Sequence, residues 1–364
     1  MPRGEYRVLA INPGSTSTKI AVYVNEQPVL VRNLCHSDEE MEPFRERPIL
    51  EQLAFRQAKI EDELSRAGFA LNEFDAVAGR GGLMRPIASG TYRVNEEMLK
   101  DLCLAPHGEH ASNMGAFLAQ GIACRGRAEA FVVDPVSVDE FTDKARISGS
   151  ALTERHSLAH ALNTKAVAER HAREEGKAYR DLRLVVAHLG SGISVSAHER
   201  GRMIDVNLAG QEGAFSTERC GSLQLLDVVR LCYSGKYTQD ELWNAFIREG
   251  GMYSYLGTKD LREVERRITA GDARATLIFD AMVYQIAKDI GAMATVLNGR
   301  VDAILLTGGM ARCERLVGQL RAAIEWIAPV VVYPGEDELQ ALAAGALRVL
   351  LGEEEARDLT SANS

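Results

Sequence analysis

The chain has 364 residues, of which 46% are hydrophobic, and a formal net charge of −9 at pH 7. This length exceeds what one hydrophobic core usually absorbs, so we expect two globular domains. The acidic balance argues against a nucleic-acid partner, and no apolar run is long enough to predict a membrane span. The opening MPRGEYRV lacks the apolar core of a signal peptide, and the six cysteines lack C-x-x-C spacing, so a cytoplasmic protein with reduced thiols is predicted.

The first predicted element is a β-hairpin with a polar turn, VLAINPGSTSTKIAVY, between Val8 and Tyr23. The turn around Gly14 can present backbone N–H groups to a phosphoryl oxygen, and Lys19 can add a positive charge. The plainer interpretation is a hairpin whose turn residues are simply polar. This stretch by itself leaves both interpretations open.

Strand and helix patterns alternate after the hairpin. FDAVAGRGG predicts a strand that enters a glycine-rich loop, residues 113–124 predict a helix, and AFVVDPVS predicts a buried strand that ends at Pro135. Apolar residues four positions apart predict a helix from Thr153 to Glu175 that leads from the first domain into the second. This alternation is typical of an α/β fold.

A second stretch, LVVAHLGSGISVSAHERGRMIDV from Leu184 to Val206, again predicts a strand, a Gly/Ser turn, a strand, a short turn and a strand. When the two stretches are overlaid, three pairs of positions coincide: His188 with Asn12, Gly190 with Gly14, and Ser191 with Ser15. We interpret this as an internal duplication in which one copy opens each half of the chain.

The second half continues with an amphipathic helix from Asp272 to Leu297, which the following Asn-Gly pair would end. VDAILLTGGMA predicts a strand that breaks at Gly308 and Gly309, where the backbone can approach a nucleotide closely. A helix to Trp326, the strand VVVYPG and a last helix over residues 337–351 complete the pattern.

The order of phosphate hairpin, connecting helix, second phosphate hairpin and TGG motif resembles the actin-like, sugar-kinase and heat-shock ATPase superfamily. Within it the chain is similar to the acetate kinase family in these stretches: INPGSTSTK, GEHASNMGA, VVDPVSVDEF, HALNTKAVA, VAHLGSGISV, YQIAKDIGAMA, ILLTGGMA and APVVVYPGEDELQALAAGALRVL. The resemblance runs from about Val8 to about Gly352. It implies an α/β fold of two ribonuclease H-like (actin-like ATPase) domains with a catalytic cleft between them. One domain would cover residues 1–183, completed by a C-terminal helix at 337–364, and the other, residues 184–336, would carry the nucleotide site.

The resemblance also implies an activity, the reversible transfer of a phosphoryl group between ATP and a short-chain carboxylate, with ADP and an acyl phosphate as products and Mg²⁺ as cofactor. Butyrate or isobutyrate is the expected acid. Many relatives have Asp where this chain has Asn12. A carboxylate is already ionised at neutral pH, so it needs no general base. We expect no nucleic-acid or membrane partner, and the resemblance implies a homodimer or higher homo-oligomer.

Catalytic roles follow from the resemblance residue by residue. Arg80 in GRGG would hold the substrate carboxylate, and Arg219 in FSTERCGSL would stabilise the phosphoryl group in transfer. Asp134 would orient an arginine or the metal, His188 would donate to the transferring phosphoryl group, and His110 would lie near the acyl phosphate. Outside the family, a lone arginine is usually a solvated surface charge, and Asp134 could simply cap a strand before a proline.

The remaining candidates would bind the nucleotide and the metal. On the two hairpins these are Asn12, Ser15, Ser17 and Lys19, which would line the phosphate path, and Gly190 and Gly192. Gly308 and Gly309 would border adenosine. Glu336 in YPGEDE would bind Mg²⁺ through water, although a helix N-terminus also favours an acidic residue there.

Two other functions stay open at this point. The first is an acetate or propionate kinase of the same fold, and the second is a nucleotide-binding regulatory ATPase without a phosphoryl acceptor. The sequence shows no basic helix-turn-helix segment and no zinc-type cysteine cluster to support the second. The chain also departs from the family pattern at Ser191, where a third glycine is common, and in AGQEGAFSTERCGSL, the stretch that carries Arg219.

Overall fold

The structure is a computed structural model that describes residues 4–106 and 108–360. It divides into two compact units: one runs to Asp139 and resumes at Asp337, and the other spans Glu140–Glu336. The sequence-based division placed its first boundary at 183, and its outer limits, residues 1 and 364, lie outside the described residues. In the structure, residues 140–183 go with the second unit, because the helix Ala161–Glu174 packs on the sheet of that unit.

The described residues form eleven strands and thirteen α-helices. The strands are β1 (Arg7–Pro13), β2 (Ser17–Val24), β3 (Gln27–Cys35), β4 (Ala76–Arg80), β5 (Thr91–Arg93), β6 (Glu129–Val133), β7 (Arg183–Leu189), β8 (Ile193–Glu199), β9 (Arg202–Val206), β10 (Ala303–Gly308) and β11 (Val330–Pro334). The helices are α1 (Asp38–Met41), α2 (Leu53–Arg66), α3 (Glu96–Leu104), α4 (Met114–Gly126), α5 (Asp143–Arg146), α6 (Ala161–Glu174), α7 (Leu225–Cys232), α8 (Gln239–Ile247), α9 (Gly251–Leu256), α10 (Leu261–Thr269), α11 (Ala273–Val296), α12 (Glu314–Ile324) and α13 (Glu338–Leu351). Within this part of the chain, no helix has both the length and the apolarity needed to cross a membrane.

The first unit contains a six-stranded sheet in the order β3-β2-β1-β4-β6-β5. β1 pairs antiparallel with β2 and parallel with β4, and β4 pairs parallel with β6. α4 and α13 pack on these three parallel strands, which explains why the strands are almost continuously apolar in the sequence. Because parallel strands end at the same edge of a sheet, the residues at their carboxyl ends, Asn12, Arg80 and Asp134, lie at one edge.

The second unit contains a five-stranded sheet in the order β11-β10-β7-β8-β9. The helix predicted over Asp272–Leu297 is confirmed as α11, and the Asp272 carboxylate caps it by accepting from the N–H groups of Arg274 and Ala275. Its apolar stripe fills the core against β7 and β8. The predicted stop is also confirmed, since Asn298 and Gly299 have φ angles of 56° and 69°.

The two predicted hairpins are confirmed, and each opens a sheet in the same way. β1-β2-β3 and β7-β8-β9 are both antiparallel meanders, and the first strand of each pairs in parallel with a later strand, β4 or β10. Pro13 pairs with Thr18 across the first turn and Leu189 with Ile193 across the second. The second turn is therefore one residue shorter, and the position of Lys19 corresponds to Ser194.

The helix predicted from Thr153 begins only at Ala161. The segment before it is held in an irregular path by Arg155, whose side chain donates to the carbonyl oxygens of Ala145 at 2.7 Å and Val206 at 3.1 Å. Arg155 also pairs with Asp205 and Glu212. These contacts lie at long range in the sequence and replace the local hydrogen bonds that a helix would have formed.

We predict that Gly115→Ala destabilises the protein, because a Cβ at this position would lie 2.1 Å from the carbonyl oxygen of Arg80, where α4 crosses β4. Overpacking of this kind costs about 1–3 kcal/mol. Gly318→Ala, also within a helix but with open space around it, is the matched control and should stabilise by roughly 0.5–1 kcal/mol. Thermal unfolding measures both changes, and equal midpoints for the two variants would contradict the close approach.

Candidate active site

The carboxyl edge of the first sheet holds an ion pair with Glu338, the first residue of α13. Arg80 Nη1 and Nη2 each lie 2.9 Å from a different oxygen of the Glu338 carboxylate, and Glu338 is buried. The Asn12 side-chain amide donates to the same carboxylate, and its Oδ1 accepts from Arg80 Nη1 at 3.4 Å. The structure thus brings together Asn12 and Arg80, both predicted as site residues, and adds Glu338, which the sequence analysis did not identify.

The ion pair leaves one edge of the Arg80 guanidinium available. A guanidinium has five N–H donors, and the contacts to Glu338 and Asn12 use the end that carries Nη1 and Nη2. Within the described residues, the Nε–H group makes no hydrogen bond, and the side chain is 20% exposed. The Nε edge has the geometry to bind a second carboxylate through two parallel hydrogen bonds.

The turn of the first hairpin is closed by a hydrogen bond from Gly14 N–H to the Ser17 carbonyl oxygen, 2.8 Å long. Ser15 and Lys19 are exposed, Ser17 is partly buried, and Lys19 pairs across the hairpin with Asn12. The candidates Asn12, Ser15, Ser17 and Lys19 therefore lie in one hairpin, at its turn and at the strand positions beside it.

Beneath this turn lies Arg56, a fully buried side chain of α2 that the sequence analysis did not identify. The available signal was its spacing, because Arg56 falls on the same helix face as the buried residues Ile60 and Leu64. A cation on the apolar face of a helix needs partners, and here the turn supplies them.

Asp134 directly follows β6, one residue beyond the strand partner of Arg80. The Asp134 backbone has a φ of 37°, an unusual left-handed conformation for a residue other than glycine. Its carboxylate is buried and accepts from Ser89 Oγ–H at 2.6 Å and from Gly90 N–H at 2.9 Å. Strained backbone conformations of this kind concentrate at functional sites, so the geometry favours a functional role for Asp134 over a strand cap.

His110 lies on the surface of the first unit. It precedes a short 3-10 turn, Ala111–Asn113, and its Nδ1 accepts from Ser112 N–H at 3.2 Å.

In the second unit, His188 is a buried imidazole between two oxygen atoms. Its Nδ1 lies 3.0 Å from Asn163 Oδ1 and its Nε2 lies 3.2 Å from Glu336 Oε1. The ring stacks on His160, with centroids 3.8 Å apart, and His160 contacts Ser194 Oγ at 3.0 Å. The structure thus brings together His188 and Glu336, and it adds His160 and Asn163, which the sequence analysis had included only within the HALNTKAVA motif.

Arg219 lies against the turn of the second hairpin. A Cβ at Gly192 would be 2.8 Å from Arg219 Nη1, and a Cβ at Gly210 would be 2.7 Å from its Cδ. Its guanidinium makes one long hydrogen bond within the described residues, 3.5 Å to the Ala209 carbonyl oxygen. Burial lowers the pKa of Arg219, and the guanidinium stays protonated at neutral pH. The side chain is therefore a partly buried cation whose N–H groups can still bind an anion.

The loop that carries Arg219 is held in place although its sequence departs from the family pattern. The Ser216 hydroxyl donates to the carbonyl oxygen of Ser191, which ties the loop to the second turn. On α11, Asp289 accepts from Ala214 N–H at 2.7 Å and Gln285 accepts from Phe215 N–H at 3.3 Å. These side-chain contacts fix the position of the loop.

The TGG motif ends β10 with a backbone corner that is buried at Gly308 and exposed at Gly309. Gly308 has a φ of 92°, and a Cβ there would lie 2.3 Å from the Leu189 carbonyl oxygen, so only glycine fits. Gly308 and Gly335 exchange two backbone hydrogen bonds of 3.1 and 2.9 Å. Gly309 is exposed, with no atom within 4 Å of the position that a Cβ would take. A planar ligand group can therefore approach the backbone at this corner.

The residues present fit Mg²⁺ bound together with a nucleotide. Within the described parts of the chain, no group of three or more His, Cys, Asp or Glu side chains could hold a metal ion by itself. Mg²⁺ in kinases keeps several waters and needs only one or two carboxylates besides the phosphate oxygens. The Glu336 side chain, 37% exposed and next to His188, suits that role.

Comparisons with known proteins agree on one family. Residues 151–325 match the model of the acetokinase family. The chain is 50% identical to butyrate kinase 2 of Clostridium acetobutylicum over 97% of its length and 99% of that protein. It is similar in structure to Porphyromonas gingivalis acetate kinase (TM-score 0.76, 19% identity, 95% and 100% of the two chains). It is also similar in structure to a propionate kinase from Francisella tularensis, with a TM-score of 0.72 and 18% identity. That match covers 93% of this chain and 98% of the propionate kinase chain.

These solved structures confirm the predicted fold class, α/β with two actin-like domains. The identity to butyrate kinase 2 extends over nearly all of both chains, far beyond the segment that the family model matches. The chain therefore belongs to the acetokinase family.

Proposed function

We propose that this protein is a short-chain fatty-acid kinase that transfers a phosphoryl group reversibly between ATP and butyrate or isobutyrate. The observation that carries the proposal is the 50% identity to butyrate kinase 2 over 97% of the chain. Acetate and propionate kinases share the fold at 19% and 18% identity, which supports the fold and not a choice of acid. The family implies ATP and ADP as the nucleotides.

The geometry around Asn12 agrees with a carboxylate acceptor. In the forward reaction an oxygen of the ionised acid forms a bond to the γ-phosphorus of ATP, and the bond from that phosphorus to the bridging oxygen breaks, which leaves ADP. No proton has to be removed from the acid. Asn12, an amide bound to Glu338 and Arg80, cannot act as a general base and is not required to. Positioning and charge neutralisation supply the catalysis.

The candidate residues take distinct roles in this proposal. Arg80 holds the carboxylate of the acid through its Nε edge, while Glu338 fixes the orientation of the Arg80 guanidinium. Arg219 binds the phosphoryl oxygens as charge builds up on them, with His188 as a further donor. Asp134 orients the nearby charged groups, and His110 lies near the acyl phosphate; these roles rest on the family resemblance.

The two hairpins and the TGG corner would bind the phosphates, the metal and adenosine. The phosphate path is lined by Asn12, Ser15, Ser17, Lys19, Gly190 and Gly192. Gly308 and Gly309 border adenosine. Glu336 would hold Mg²⁺ through water, and the ion would neutralise phosphate charge when it is bound.

We also infer a homo-oligomer in the cytoplasm. The segment around α7 exposes large apolar side chains, with Leu225 at 75%, Tyr233 at 88% and Trp243 at 55% exposed, and no residue of α7 is buried. A concentration of exposed apolar side chains along one segment is typical of a protein interface. The six cysteines are all free thiols, which suits a reducing compartment.

The rate of the reaction should depend on the chain length of the acid. With Mg·ATP and hydroxylamine, we expect hydroxamate formation to be fastest with four-carbon acids in a series of acetate, propionate, butyrate, isobutyrate and isovalerate. A missing methylene costs about 1–3 kcal/mol in an apolar pocket, so acetate should be at least tenfold poorer in kcat/KM than butyrate. A maximum at acetate or propionate would favour the alternative kinase. ATP hydrolysis that no acid alters would favour the regulatory ATPase.

Substitutions of Arg219 and Arg80 should change different kinetic parameters. Arg219→Lys removes the bidentate contact to the phosphoryl group, so kcat should fall on the order of a thousandfold while ADP affinity is retained. Arg80→Lys weakens binding of the acid, so the KM for butyrate should rise at least tenfold with little change in the KM for ATP. Each variant is the control for the other, and initial rates at varied butyrate and ATP measure both. Identical kinetic changes in the two variants would refute the separate roles.

The oligomeric state should depend on the α7 surface. Light scattering of the full chain is expected to show at least a dimer, and Leu226→Asp, at a side chain 67% exposed, should shift it towards the monomer. Leu277→Asp, 61% exposed on α11, is the matched control and should leave the mass unchanged. A monomeric wild-type protein would refute the inference.

A further inference from the structure

Arg56 is a buried cation directly beneath the turn of the first hairpin. Its side chain is 0% exposed, and Nη1 and Nη2 donate to the carbonyl oxygens of Ser17 and Ser15, both at 3.0 Å. Nη1 also donates to Thr18 Oγ1 at 2.9 Å, and Gln52 Oε1 accepts from Nε at 3.0 Å and Nη2 at 2.8 Å. All five N–H donors are used, and every acceptor is neutral.

Within the described residues, no carboxylate accepts a hydrogen bond from Arg56. The nearby Lys59 is paired with Glu40 at 2.6 Å. Burial, and then the charge of Arg56, lower the pKa of His36 to about 4, so this histidine is neutral at pH 7. Burial lowers the pKa of Arg56 to about 10, so its guanidinium remains charged, and no acidic residue of the described chain opposes this effect. A buried cation without a counter-ion is unfavourable unless a bound anion offsets its charge.

The same contacts set the direction of a peptide group in the turn. The Ser15 carbonyl points at Arg56, and in a trans peptide the N–H of the next residue points the opposite way. The Thr16 N–H is therefore directed away from Arg56, on a turn where Ser15 and Thr16 are exposed. The N–H of His36 donates to the Thr16 carbonyl at 2.9 Å and holds the following peptide as well. A backbone N–H above a buried cation is a suitable environment for an anion.

We propose that Arg56 is a positioning residue of the first hairpin: it holds the Ser15 and Ser17 carbonyls beneath the turn, directs the Thr16 N–H at the phosphoryl group of the acyl phosphate, and provides the charge that this dianion balances. The identity of the anion rests on the proposed function, whereas the placement of Arg56 beneath the turn is observed in the structure.

The test compares Arg56→Lys and Arg56→Gln with Arg85→Gln in the full-length protein. Arg85 is a matched control because it is a partly buried arginine of the same unit that pairs with a buried carboxylate, Asp101, at 3.1 Å and makes no contact with the hairpin. Arg85→Gln should therefore reduce stability without a change at the turn. The readouts are the thermal midpoint, the thermal shift caused by butyryl phosphate at constant ionic strength, and initial rates with butyryl phosphate and ADP.

We expect both Arg56 variants to need at least tenfold more butyryl phosphate for half-maximal thermal shift and to lose at least tenfold in kcat, with the KM for ADP within twofold of the wild type. Arg56→Lys keeps the charge and loses the planar set of donors, so it should recover only part of the binding. Arg85→Gln should bind butyryl phosphate like the wild type at a similarly lowered midpoint.

Unchanged binding of butyryl phosphate in the Arg56 variants, or the same loss in Arg85→Gln, would overturn the proposal, as would a wild-type protein that butyryl phosphate does not stabilise. A wild-type protein that binds butyryl phosphate but turns over no acid would refute the proposed function, while the binding comparison would still decide the role of Arg56.

Discussion

The ion pair between Arg80 and the buried Glu338 carboxylate is the constraint on which the first unit depends. It joins the end of β4 to the start of α13, and Asn12 at the end of β1 completes it. Removing one member of such a pair leaves an uncompensated buried charge, which typically lowers the free energy of unfolding by about 3–5 kcal/mol. The last helix therefore has a defined place on a sheet whose strands come from the beginning of the chain, and the unit is built from both ends of the sequence.

Three arginines differ in how many of their hydrogen-bond donors the protein already uses. Arg56 uses all five donors on neutral acceptors of the protein, so it can organise a turn and contribute charge. Arg80 binds a protein carboxylate at one edge and leaves its Nε edge for a ligand. Arg219 makes one long hydrogen bond and retains most of its donors. In the proposed function, the number of donors already used by the protein separates the arginine that positions the site from the arginines that bind an anion.

The sequence predicted the elements whose signals are local. Both hairpins have apolar runs on either side of a Gly/Ser turn, and α11 has an apolar stripe with a cap and a stop, so neighbouring residues carry all the information. The start of α6 was predicted too early because the local periodicity around Thr153 carries no information about the partners of Arg155, which lie some 50 residues away at Asp205 and Glu212. Glu338 was not predicted as a site residue for the same reason, since its partners Asn12 and Arg80 are also distant in the sequence.

The sequence by itself determined the order of the elements, the duplicated hairpins and the family, because apolar periodicity, turn residues and motifs are all local features of the sequence. The tertiary structure alone decided which polar groups meet. It joined Arg80 to Glu338, stacked His160 on His188, and set Arg56 beneath a turn some 40 residues earlier in the chain. Hydrogen bonds and ion pairs form between atoms within about 3 Å of one another in space, and distance along the chain has no bearing on that condition.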